Sequence, residues 1–306
     1  MTDYLIGLLK ENCQIAYLSR GYKRATVGYF LADNESDAST IGDEPLEIKR
    51  RHPEVAVAVC ENRVLAIPKL LGDAPKTNVV ILDDAFQHLS IKPGLSILMT
   101  EYNDLFTRDF LLPVGRLREW RMGYKRAKLI IVNKCPLDLS EEQRRMVIAE
   151  IKPYPHQKVF FSSIGYSEIY PLLKPDIVFD NWYDHITLDD KVSALAVCGI
   201  AKPAYIEEYL KTKTKESALL KFPDHHVFEL EDLGDIKSAF EDLNGEKKII
   251  VTTAKDSVRL EKYYNWFIEQ SIPLFCLPMS VEFSPVDKSR FDQEIMNFMG
   301  LSESKI

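Results

Sequence analysis

Residues 78–88, NVVILDDAFQH, limit the architecture open to this chain more tightly than any other run. The apolar series Val79-Val80-Ile81-Leu82 is predicted to be a fully buried parallel strand, since a half-exposed strand alternates apolar with polar residues. Asp83 and Asp84 close the series, and Gln87 and His88 follow directly. In open α/β sheets ligands sit outside the carboxyl ends of the strands, so an acidic pair there is placed to hold Mg²⁺. A strand running into an Asp-rich turn is the competing reading, and this run alone does not separate the two.

At 306 residues the chain is too long for one average core, and two domains are predicted. A net charge of −7 speaks against nucleic-acid binding, which needs a broad basic face. Charge is nevertheless uneven: Arg116, Arg118, Arg121, Lys125 and Arg126 crowd together, either to meet an anionic ligand or as a solvated face. The five cysteines are scattered with no C-x-x-C pair, which indicates reduced thiols and neither a zinc site nor a disulfide framework. No apolar run approaches the ~20 residues of a membrane span, so the expectation is a soluble or peripheral chain.

Short apolar strands alternate with helical periodicity through most of the sequence. Strands are predicted at 14–18, 55–59, 79–82, 95–99, 129–132, 159–161, 194–198, 248–253 and 273–277. Helices are predicted at 2–10, 63–71, 140–151, 204–211 and 289–298, with a further one opening near Pro45. Alternation of this kind gives an α/β fold with doubly wound sheets. The pattern loosens between residues 165 and 190, which marks a linker. The predicted division is therefore a first domain at 1–165, a linker at 166–190 and a second α/β domain at 191–306 with a C-terminal helix.

Several loops adjoining these strands carry chemistry. Asp43, in Gly42-Asp43-Glu44-Pro45, either acts as a general base or caps the helix that begins near Pro45. Asp224-His225-His226 offers an imidazole that can pair with such a carboxylate, or is an ordinary surface pair. Arg118 is suited to bidentate grip on a phosphate. Asn133-Lys134-Cys135-Pro136 has proline where a guanine reader needs aspartate, which excludes GTP specificity.

Taken in order, six motifs resemble one family: Leu18-Ser19-Arg20-Gly21-Tyr22, Gly42-Asp43-Glu44-Pro45, Asp83-Asp84-Ala85-Phe86-Gln87-His88, the run 111–119, Phe222-Pro223-Asp224-His225-His226, and Thr253-Ala254-Lys255-Asp256. They span most of the chain and resemble the tetraacyldisaccharide 4′-kinases, the lipid A 4′-kinases of Gram-negative bacteria. The resemblance implies two P-loop NTPase-like α/β/α domains and transfer of phosphate from ATP, with Mg²⁺, to the 4′-hydroxyl of a lipid A precursor disaccharide. It also implies a monomer working peripherally at the cytoplasmic face of the inner membrane. By the same resemblance Asp43 is the catalytic base and His225 its partner, with His226 a possible substitute and Glu44 in the same network. Asp83 and Asp84 become the metal-associated acids. Arg20, Tyr22, Gln87, His88 and Arg118 become the residues that meet phosphate and sugar.

One departure stands out. Kinases of this kind hold the β- and γ-phosphates with a G-x-x-x-x-G-K-[ST] loop, and no such run occurs in the 306 residues. No nucleotide-holding residue is therefore identifiable. The expectation is a chain that starts just after that loop, with the family's membrane-associating helix further upstream and little kinase activity in the residues given. A non-catalytic lipid- or carbohydrate-binding remnant and another P-loop phosphotransferase acting on a small metabolite are the alternatives.

Overall fold

The structure is a computed structural model, and it describes residues 1–173 and 186–301. Much of the predicted linker, residues 174–185, lies outside the described residues. The chain divides into two compact units, and the division is not a single cut in the sequence. The first unit comprises Met1–Glu35, Arg51–Gly165 and the segment from Ser280 onward. The second comprises Ser36–Arg50 and Tyr166–Met279.

Two four-stranded sheets make up the first unit. In one, β1 (Ile15–Ser19) lies between β3 (Ala56–Val59) and β4 (Val79–Leu82), parallel to both, and β2 (Phe30–Leu31) adds antiparallel to β3. All five residues of β1 are buried. The strand β4 is half-buried instead of fully buried as its composition predicts. It is an edge strand, hydrogen-bonded to β1 alone, so an apolar run here does not signal two covered faces and two neighbours. In the other sheet, β5 (Ile97–Glu101), β6 (Leu129–Asn133) and β7 (Lys158–Tyr166) run parallel, with β13 (Met279–Phe283) beside β7.

The second unit holds one five-stranded sheet in the order β10 (Glu216–Lys221), β9 (Val192–Cys198), β11 (Lys247–Thr252), β12 (Leu274–Cys276) and β8 (Tyr170–Pro171). The first four are parallel, and β8 is antiparallel to β12. Every residue of β9 is buried, as a central strand covered on both faces requires. From β9 the chain steps outward to β10 and then back across to β11. That reversal creates a switch point between β9 and β11, where the loops leaving the two strands diverge and open a crevice.

The helices show why local sequence settles local structure. In α5 (Glu141–Ile151), a helix predicted at 140–151, the Ser140 hydroxyl accepts from the Gln143 N–H and the Gln143 side chain accepts from the Ser140 N–H. By contrast α10 (Pro285–Phe298) starts four residues before the predicted boundary. Ser284 caps it through the Asp287 N–H and Pro285 occupies the first turn, where its missing N–H costs nothing. The remaining helices include α1 (Thr2–Leu9), α2 (Ala38–Ile41), α3 (Asp43–Arg51), α4 (Arg63–Asp73), α6 (Ala204–Lys213), α7 (Leu230–Glu241), α8 (Ala254–Leu260) and α9 (Tyr264–Glu269). All five cysteines are buried, and none forms a disulfide among the described residues. Among the described residues no helix is long and apolar enough to cross a membrane.

Candidate active site

In the second unit the polar groups gather at the carboxyl end of the sheet, at its switch point. The organising element is α8. Thr253 caps it, its hydroxyl accepting from the Asp256 N–H and donating to Asp256 Oδ2. Asp256 has no exposed surface and also accepts from the Gly199 N–H at 2.9 Å, which ties the end of β9 to the end of β11. Burial pushes the Asp256 carboxyl above the usual aspartate range, against the hydrogen bonds from Gly199 and Thr253 and the charges of Arg259 and Lys255. Replacing Thr253 with Ala removes both the cap and a partner of that buried carboxyl. Urea unfolding should register a loss of about 1–2 kcal/mol.

Three residues on from Asp256, Arg259 brings Asp43 into this cluster. Its Nη1 donates to Asp256 Oδ1 at 2.9 Å and to the Gly199 carbonyl at 3.2 Å. Its Nε donates to Asp43 Oδ2 at 3.0 Å, and Nη2 donates to the same oxygen. Asp43 opens α3, and the glycine before it has φ +91°, a conformation side chains strongly disfavour, so Gly42 is what allows the turn. His225 Nδ1 lies 3.1 Å from Arg259 Nη2 and 3.5 Å from Asp43 Oδ2, while Nε2 lies 2.9 Å from Lys255 Nζ. A guanidinium and a lysine ammonium only donate, so each ring nitrogen faces a cationic donor, Nδ1 that of Arg259 and Nε2 that of Lys255. Arg259 and His225 meet Asp43 at Oδ2, and among the described residues Oδ1 takes no hydrogen bond.

The adjacent histidine goes elsewhere. His226 Nε2 lies 2.7 Å from Asp232 Oδ2, and its ring stacks on Phe222 at 4.8 Å. Burial works against ionisation of Asp232, but hydrogen bonds from the Glu229 N–H and from His226 hold its carboxyl below the usual range. Of the two imidazoles, His225 is the one beside Asp43. Glu44 stands exposed on the next position of α3.

The first unit presents its own acids at the carboxyl ends of β1 and β4. Asp83 accepts from the Tyr17 hydroxyl at 2.8 Å, from Thr2 at 3.2 Å and from the Asp84 N–H at 3.1 Å. Asp84 takes a left-handed backbone, φ +45°, and its two carboxylate oxygens accept from the two terminal nitrogens of Arg118. Beneath the turn Arg63, almost wholly buried, donates to the backbone carbonyls of Asp83 and Asp84. Burial pushes that guanidinium below its usual range, and the charge of Arg20 acts in the same sense against Asp84 and Asp83. Gln87 Oε1, His88 Nε2 and Arg63 Nε are buried with no hydrogen-bond partner among the described residues. Buried polar atoms are paired in most native structures, so three such orphans around one turn point to a ligand. Tyr22 is exposed on the loop after β1, where Gly21 donates its N–H to the Ser19 hydroxyl.

Among the described residues no group of three or more acidic, histidine or cysteine side chains converges as a metal cage. Mg²⁺ is ordinarily held by one or two carboxylates, with water and substrate phosphate completing its shell. Asp83 and Asp84 supply hard oxygen donors of that kind.

Sequence reasoning gave no role to Arg63 or Arg259, and named Lys255 only as part of the Thr253-Ala254-Lys255-Asp256 motif. Lys255 and Arg259 are spaced i, i+4 after a Thr-x-x-Asp cap, so they share a face of α8, and that spacing was the available signal.

The chain is an α/β protein whose parallel-dominated sheets carry acids and basic side chains at their carboxyl ends. A crystal structure of LpxK from Aquifex aeolicus in complex with ATP shares the fold, with a TM-score of 0.64 at 23% identity, covering 97% of this chain and 82% of that one. The chain belongs to the tetraacyldisaccharide 4′-kinase family, whose profile, Tetraacyldisaccharide-1-P 4′-kinase, matches residues 1–299. A tetraacyldisaccharide 4′-kinase of Bacteroides thetaiotaomicron is 42% identical over 97% of this chain and 80% of its own length. One of Flavobacterium psychrophilum is 41% identical over 97% of this chain and 81% of its own length.

Proposed function

We propose that this chain is the catalytic part of a lipid A 4′-kinase, transferring the γ-phosphoryl group of ATP to the 4′-hydroxyl of a tetraacyldisaccharide 1-phosphate. The observation that carries the reading is the arrangement of Asp43, whose Oδ2 is tied by Arg259 while Oδ1 is left to a substrate hydroxyl. Phosphoryl transfer depends almost wholly on positioning and on neutralising charge. Asp43 Oδ1 takes the proton of the 4′-hydroxyl as that oxygen attacks phosphorus. Arg259 holds the carboxylate in one direction, and His225, 3.5 Å from Oδ2, stands as the paired group that steadies it. Arg118, Arg20, Tyr22, Gln87 and His88 meet phosphate and sugar, and the orphaned polar atoms of Gln87 and His88 support that role. Asp83 and Asp84 would hold Mg²⁺, which when bound neutralises negative charge on the phosphate oxygens.

The reading extends to work as a monomer at the cytoplasmic face of the inner membrane. Because residues 1–306 contain no G-x-x-x-x-G-K-[ST] run, they should turn over ATP slowly on their own, yet still bind the acylated acceptor. Phosphate transfer and calorimetric titration with a tetraacyldisaccharide 1-phosphate, each run against a soluble amino-sugar phosphate, test this. Selective binding of the acylated acceptor is expected. Equal binding of the soluble sugar would favour a small-metabolite phosphotransferase and sink the lipid assignment, whereas ATP turnover at a normal kinase rate would overturn only the prediction of slow catalysis.

A further inference from the structure

The connection between β5 and β6 carries an exposed apolar tip with no role in the reaction described above. Phe110, Leu112, Val114 and Trp120 are 59, 61, 83 and 68% exposed, so they project outward and do not line a groove. Their exposure is not that of a slack loop. The Leu112 N–H donates to the Leu117 carbonyl and the Leu117 N–H to the Phe110 carbonyl, which closes the turn on itself. The Asp109 carboxylate accepts from the N–H groups of Phe110 and Arg116 at its base. A Cβ on Gly115 would fall 2.3 Å from Asp109 Oδ1 and from the Phe110 carbonyl, so only glycine permits so close a return. The fold therefore spends a tight, fully bonded turn on holding large apolar side chains in water.

Charge identifies what covers them. From Asp104 to Lys128 the chain has seven Lys and Arg against three Asp and Glu, within a protein of net charge −7. Asp104 and Asp109 engage Arg116, Glu119 engages Arg126, and Arg118 is paired with Asp84. Arg121 and Lys125 form no ion pair among the described residues. Arg121 lies over the Phe110 ring at 5.2 Å, which keeps its cation at the tip, and its Nη1 donates to the Thr107 carbonyl; Lys125 lies over the Tyr154 ring at 5.2 Å. Aromatic and aliphatic side chains on an exposed turn, with Arg121 against one of them and a net basic segment around the turn, match the boundary of an anionic bilayer. The rings and chains enter the acyl edge while the cations meet lipid phosphates. A protein partner would need roughly 800 Å² of matching surface, more than a few projecting side chains offer.

We infer that the turn at residues 110–122 is a membrane-docking element that inserts Leu112, Val114 and Trp120 into an anionic lipid surface. This rests on the membrane location in the reading above and not on its catalytic part: lipid binding is measured without ATP or acceptor, so its failure is distinguishable from failure of phosphate transfer. The test is co-sedimentation of the 306-residue chain with vesicles of phosphatidylcholine containing phosphatidylglycerol, and with phosphatidylcholine alone. Binding to the anionic vesicles, weakened by salt, is expected, together with a blue shift of tryptophan emission that Trp120→Phe removes. Leu112→Asp with Val114→Asp should lower vesicle affinity by about tenfold or more while leaving the circular dichroism spectrum unchanged. A control pair at exposed sites elsewhere, Leu137→Asp with Leu230→Asp, should bind like the parent. Failure of the parent to sediment with anionic vesicles would overturn the proposal, as would equal binding by the Leu112/Val114 pair. So would a self-association, seen by ultracentrifugation, that the same pair abolishes while lipid binding persists.

Discussion

Asp43→Asn is expected to lower kcat by about 10²–10⁴-fold, the usual range for loss of a general base. The change preserves the shape of the side chain but removes the charge that accepts the proton. Because the acceptor hydroxyl is still held by the same surroundings, KM should move little, and that split separates a base from a binding group. The comparison is best read as phosphate transferred to the acylated disaccharide per enzyme at saturating substrate. If residues 1–306 transfer none, it is made with a relative's phosphate-binding segment joined ahead of Met1. An unchanged kcat would remove Asp43 from the role. A Tm that fell sharply in the same variant would point to lost structure and away from lost chemistry. His225→Ala should reproduce part of the kcat deficit, whereas His226→Ala should act through its contact with Asp232 and appear mainly in stability.

Arg259→Ala should be the most destabilising single change in the second unit, costing about 3–5 kcal/mol, as when one partner of a buried ion pair is deleted. The side chain of Arg259 is 8% exposed and that of Asp256 is fully buried, so the truncation leaves a buried carboxylate with one cation fewer. The pH dependence then distinguishes this cause from simple loss of packing. Asp256 already sits above its ordinary range because of burial, and removal of Arg259 takes away one of the charges opposing that rise. A carboxyl whose folded pKa lies above its unfolded one contributes stability that is present below the unfolded value and lost as pH rises through the folded value. The deficit of Arg259→Ala should therefore be smaller at about pH 5 than at about pH 8. Adding Asp256→Asn should flatten that difference. A deficit independent of pH in denaturant titrations would show that the carboxylate is not what Arg259 stabilises.

Much of this was legible in the residues. A four-residue apolar run ending in two aspartates marked β4 and the acidic turn after it, and Ser140 followed by Glu141 and Glu142 marked the start of α5. Such signals are local, because a cap or an apolar run acts on neighbours within a turn or a strand. Strands without such a run were less visible. β10, with Glu216 and Ser217 at its start, lies at a sheet edge where half its surface stays wet, so its apolar pattern is weak. The pairing of the Ser36–Arg50 segment with the second unit carries no local signal at all.

The residue types at the carboxyl ends of the strands were set by the chain alone: carboxylates, imidazoles and arginines following apolar runs, in an order found in one family. Which of them meet was decided by tertiary structure. His225, and not His226, faces Asp43 because the backbone at His225 turns left-handed, φ +62°, and sends adjacent side chains in different directions. Arg259 meets the Gly199 carbonyl across 60 residues because sheet order sets the exits of β9 and β11 side by side, and it reaches Asp43 across 216 because the Ser36–Arg50 segment belongs to the second unit. Contacts over that separation depend on strand order and register, and no window of neighbouring residues contains either.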